Sequence, residues 1–120
     1  PLAGFVTSVT TGGTYRFVAD YLRETHPMLN VRGARIVENL QATFEDDSSE
    51  IERITLDEIW NCRDEIARAE GLLLGPKGAA CVRIALNLQS TADPNHAIIA
   101  INPDSGRRYV GWEDKTLFTG

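Results

Sequence analysis

The sequence predicts an α/β fold, a mostly parallel sheet with helices on both faces, and three observations carry that expectation. Short apolar, β-branched segments recur at residues 4–9, 31–38, 72–74 and 96–101. Stretches with helical spacing of apolar residues separate them. Glycine- and proline-containing turns punctuate the boundaries. Strands alternating with amphipathic helices imply a parallel sheet covered on both sides, because parallel neighbours require a crossover and the crossover helices need a face to bury.

The elements follow in order. Residues 4–9 (GFVTSV) read as the first strand. Thr10, Thr11, Gly12, Gly13 and Thr14 lead into a helix whose Phe17, Val18, Tyr21 and Leu22 fall on one face, and His26 and Pro27 end it. Residues 31–38 form a second strand, weakened by Gly33. Residues 39–52, with the acidic run at 45–50, read as a loop; the carboxylate spacing fits no oxygen-ligand metal loop. Thr55 and Glu58 form a capping box for a helix to Glu70 that places Ile59, Cys62, Ile66 and Ala69 on one side, with Gly71 as its stop. Residues 72–74 are a brief buried strand, residues 75–78 a turn, residues 79–89 a third helix, and residues 96–101 (HAIIAI) the last strand, closed by residues 102–106. The expected architecture is a single domain over residues 1–120, three-layered and Rossmann-like.

With 120 residues the chain has enough material for one core and no more. Its 42% apolar and 24% charged residues are those of an ordinary soluble domain. A formal charge of -5 argues against nucleic acid or an acidic membrane as partner, since either would repel it. No apolar run reaches the length of a membrane span and nothing resembles a signal peptide. Cys62 and Cys81 lie in helical stretches without metal spacing, which suits a reducing, cytoplasmic setting. A chain opening on Pro1 immediately before a strand is expected to be one piece of a larger protein or a processed chain.

Ligands of such a sheet bind outside the carboxyl ends of the strands. Three turns are expected there: Thr10 to Thr14, residues 75–78 and residues 103–106. The first has the chemistry of a phosphate cradle. Glycines admit close approach of backbone amides, threonine hydroxyls add donors, and a helix N-terminus favours negative charge. The same residues serve equally as a plain turn and N-cap. Asp104 with Ser105 reads as a turn rather than a catalytic dyad, and Arg107 and Arg108 as solvated surface.

The order of these turns resembles the cysteine synthase and cystathionine β-synthase family of pyridoxal-phosphate (PLP) enzymes, fold type II. Val9 to Thr14 resembles that family's glycine-threonine loop for the PLP phosphate, and residues 69–75 (AEGLLLG) its EEGLLxG segment. Residues 98–109 (IIAINPDSGRRY) resemble its strand and PDSGERY motif, with Leu117 and Phe118 matching an LF pair shortly after. The resemblance runs nearly end to end and identifies the chain as similar to the C-terminal part of the large domain.

The resemblance implies PLP as cofactor, held by Thr10, Thr11, Gly12, Gly13 and Thr14, with Lys77 in the turn that meets the ring. It implies β-replacement or β-elimination on serine-, O-acetylserine- or cysteine-like amino acids. It also implies that the Schiff-base lysine comes from an N-terminal half or a separate chain, in a homo- or hetero-oligomer. The only lysines here, Lys77 and Lys115, do not match the cofactor lysine. The family's turn before the third helix carries a serine whose hydroxyl meets the pyridine nitrogen. Residues 75–78 (GPKG) have none and are one residue shorter, so Lys77 stands either near that position or simply exposed at a helix start. Residues 39–52 are shorter than their family counterpart. These departures leave two further readings open: an inactive relic of the family used for assembly, and a free-standing module for another phosphate-bearing ligand.

Overall fold

In the structure, a computed structural model, residues 6–41, 50–103 and 105–109 are described, with side chains for 19–41, 50–103 and 105–107. Strand β1 (Val6–Thr11) is followed by helix α1 (Gly12–Thr25), β2 (Leu29–Val37), β3 (Ile51–Thr55), α2 (Leu56–Glu70), α3 (Pro76–Gln89), β4 (Ala97–Ala100) and a 3-10 turn over Gly106–Tyr109. The four strands form one sheet in the order β3-β2-β1-β4, and every pairing is parallel.

That order explains why helices cover both faces. The step from β1 to β2 moves one way across the sheet, and the step from β3 to β4 moves back the other way. Right-handed crossovers in opposite directions put their helices on opposite sides. Accordingly α1 packs on β1 and β2, whereas α3 packs on all four strands with α2 beside it. Residue parity along β2 agrees: Ala34 and Ile36 join the core with α2 and α3, while Val31, Gly33 and Val37, of opposite parity, are also buried. A strand flanked by neighbours and covered on both faces needs no polar alternation, so Gly33 is carried without breaking β2.

The main core holds Ala34, Ile36, Ile54, Ile59, Trp60, Leu74, Ala79, Ala80, Cys81 and Ile84. Four expectations require correction. Residues 72–74 are not a buried strand: Leu72 and Leu73 are exposed, and Leu74 makes a single antiparallel bridge to Ser105. An additional strand, β3, lies instead where the sequence predicted the end of a loop; residues 42–49 of that loop lie outside the described residues. On α1 Tyr21 is 61% exposed, because Ala19 and the half-buried Leu22 face the sheet; the side chains of Phe17 and Val18 lie outside the described set. On α2 the buried face is Ile59, Trp60 and Cys62, with Ala69 exposed.

Local chemistry sets the helix ends. Thr55 ends β3 and caps α2 from an extended conformation (φ -89°, ψ 160°). Glu58 N donates to its Oγ1 at 3.4 Å, and the Thr55 hydroxyl donates to Glu58 Oε1 at 3.2 Å. The pair is reciprocal, as a capping box should be, but the carboxylate takes the hydroxyl proton rather than the cap's amide. At the other end Gly71 adopts φ 70°, a left-handed conformation open to glycine without strain, and donates to Ala67 O at 3.0 Å. Among the described residues no helix is long and apolar enough to cross a membrane.

Both cysteines are free and buried. Burial pushes the Cys81 thiol up to about 12 from an ordinary 9.0, so on the order of a thousandfold less of it is thiolate than at an unshifted site. Burial also raises Cys62, partly opposed by the Arg83 guanidinium. A disulfide-type thiol reagent at about pH 8 is therefore expected to leave both unmodified in the native chain and to label both after unfolding in urea. Rapid labelling of native Cys81 would contradict its place in the core.

Candidate functional site

Because all strands run parallel, their carboxyl ends share one edge of the sheet. β1 ends at Thr11 and α1 begins at Gly12 with no intervening loop, so Thr10 and Thr11 are the last strand residues and Gly12, Gly13 and Thr14 the first helical turn. This start is three residues earlier than the sequence suggested, which had Thr14 as the last residue before the helix. The first amides of a helix have no acceptor within it, and they point toward the helix start with the positive end of the dipole. Gly12 and Gly13 carry no side chain to shield them.

β4 lies beside β1 with Val9 opposite Ala100. Continuing that register by two residues brings Asn102 level with Thr11. Asn102 in turn touches α3. Its carboxamide occupies the space a Cβ on Gly78 would need, so the first turn of α3 and the exit of β4 are in direct apposition. Residues 75–78 are thus not a separate turn. Gly75 is the N-cap of α3 (φ -73°, ψ 172°), buried Pro76 opens it, and Lys77 is exposed in its first turn. Proline suits this position because its missing N–H would be unsatisfied in any residue there.

The third turn closes onto the second. Gly106 N donates to Leu73 O at 3.0 Å, next to the Leu74–Ser105 bridge. Gly106 has no room for a side chain, since a Cβ would meet the Leu74 carbonyl and come within 2.7 Å of Leu73 Cγ. Ser105 Oγ accepts from Arg107 N at 3.3 Å, which makes this a turn held by its own hydroxyl, and Arg107 is exposed. Asp104 and the side chain of Arg108 lie outside the described residues, as does Lys115.

The structure thus brings the three turns to one edge. Lys77 stands on the rim, while Thr10 to Thr14 are placed by their backbone. The start of α1 presents backbone amides of the kind that meet an anion. The first turn of α3 offers no side-chain hydroxyl. Sequence reasoning missed Asn102, which it read only as the close of the last strand. Its signal was a carboxamide two residues beyond a parallel strand, at the end of the sheet where ligands bind.

No protein-family model matches the chain. It is 26% identical over 131 residues to a probable cysteine synthase of Bacillus subtilis, covering 92% of this chain and 42% of that protein. It is 27% identical over 136 residues to an O-acetylserine dependent cystathionine β-synthase of the same organism, covering 97% of this chain and 43% of that protein. Among solved structures, cystathionine β-synthase from Bacillus anthracis superposes with a TM-score of 0.69 at 25% identity, covering 84% of this chain and 36% of that one. The chain thus spans about two fifths of the length of the curated relatives it matches. In sequence and in fold it is similar to one part of the cysteine synthase and cystathionine β-synthase enzymes, a partial large domain of PLP fold type II.

Proposed function

We propose that this chain is the C-terminal portion of a PLP-dependent β-replacement or β-elimination enzyme acting on serine-, O-acetylserine- or cysteine-like amino acids. The observation that carries the reading is the abutment of β1 on a Gly-Gly helix start at the carboxyl edge of the sheet, beside the first turn of α3. Bound PLP would supply the electron sink for chemistry at the β-carbon. The chain's own part is to hold and orient. Thr10, Thr11, Gly12, Gly13 and Thr14 hold the phosphate, with the first amides of α1 donating to it and the threonines adding hydroxyl donors, and the start of α1 lowers the cost of its charge. Lys77 flanks the ring from α3, and its ammonium group there disfavours a protonated pyridine. The lysine that carries the cofactor comes from the N-terminal half of the same enzyme or from a separate chain, within a homo- or hetero-oligomer.

A second reading is a catalytically inactive relic that serves assembly. It is favoured by the serine-free first turn of α3 and by the exposed Lys77 on it. An absorption spectrum of the protein, alone and with any co-purifying chain, separates the two. The visible band of enzyme-bound PLP, moving on addition of O-acetylserine, is the expected result. No band under either condition overturns the enzyme reading and leaves the relic.

A further inference from the structure

Asn102 is the second residue beyond β4 and stands at the carboxyl edge of the sheet, against Gly78 in the first turn of α3. It is exposed, and its carboxamide makes no hydrogen bond to another described residue. Its position is nonetheless set. The side chain lies in the gap left by Gly78, where α3 presents no Cβ, while register places it level with the end of β1. A polar group held by packing and unused by the other described residues is what a ligand contact requires.

The alternatives at this edge are poorer. Lys77 is a cation in the first turn of a helix, where the dipole disfavours it, and an ammonium group cannot accept a proton-bearing partner. The Ser105 oxygen accepts from Arg107 N, and its turn is fastened to Leu73 and Leu74 rather than to the exit of β4. A carboxamide is neutral and holds both a donor and an acceptor, so it can meet a heteroaromatic nitrogen in either protonation state.

We propose that Asn102 is the side chain of this protein that hydrogen-bonds the ring nitrogen of PLP, in place of a hydroxyl from the first turn of α3; the assignment rests on the cofactor reading above.

The test titrates the full chain, with any co-purifying partner, with PLP carrying ¹⁵N in its ring, and in parallel with inorganic phosphate. Asn102→Ala should weaken PLP about five- to tenfold, the loss of one hydrogen bond, and leave phosphate affinity unchanged. Asn102→Asp, which puts a carboxylate in the same place, should move the ring ¹⁵N signal toward the protonated form at neutral pH, because a nearby negative charge favours the cation. The residue is exposed, so neither substitution should lower the melting temperature, and the aspartate variant reads the site even if the alanine one is destabilised. Unchanged PLP affinity together with an unmoved ¹⁵N signal would overturn the assignment while leaving the cofactor reading intact. A wild-type chain that binds neither PLP nor phosphate would overturn the cofactor reading, and the assignment with it.

Discussion

Replacing Ile54 by alanine should lower the free energy of unfolding by about 3 to 4 kcal/mol, the range of large-to-small changes at a fully buried aliphatic site. Ile54 is completely buried although β3 is an edge strand, because α2 and α3 cover the face it points to. It stands opposite Ile36 in the parallel register and joins Ile59, Trp60 and Leu74 in one cluster. Alanine would leave a void between sheet and helices that the capped start of α2, one residue further on, has little freedom to fill. Urea unfolding with an unchanged slope and a lowered midpoint is the expected record. A midpoint within error of wild type would mean that β3 does not bury its even-numbered face.

Gly106→Ala should cost about 2 to 3 kcal/mol, a large effect for one methyl group. A Cβ there meets the carbonyl of Leu74, a backbone atom that cannot rotate aside, and the Leu73 side chain beside it. The segment must then lift off, losing the hydrogen bond from Gly106 N to Leu73 O and the bridge between Leu74 and Ser105. The exposed neighbour Arg107→Ala is the control, expected within about 0.5 kcal/mol of wild type. Because the damage falls on the turn beside the first turn of α3, the alanine variant should also loosen whatever binds there. Equal midpoints for the two variants would show that the contact is not made.

The α/β class was legible because β1, β2 and β4 and the three helices each carry a local signal, and their alternation leaves few topologies. Thr55, Glu58 and Gly71 marked the ends of α2 from residue type alone, since capping chemistry is local. β3 was not legible. Its Ile51 and Ile54 stand three apart, and a short strand covered on one face and paired on one edge need show no period of two. Residues 72–74 misled in the opposite sense: three leucines look like core, but Leu72 and Leu73 are exposed and only Leu74 turns inward. At the site, the glycine-threonine junction was visible as a motif. Asn102 was not, because its position depends on a gap at Gly78, twenty-odd residues away, that only the packing of α3 against β4 creates.

The strand order also dictates a sequence of events in time. β1 occupies the centre of the sheet, yet one of its two neighbours, β4, lies about ninety residues later, with Val6 opposite Ala97. Contacts that span most of a chain close slowly, because the loop between them must be ordered before they yield anything. Between the synthesis of β2 and that of β4, about sixty residues later, the β4 side of β1 therefore waits for its partner.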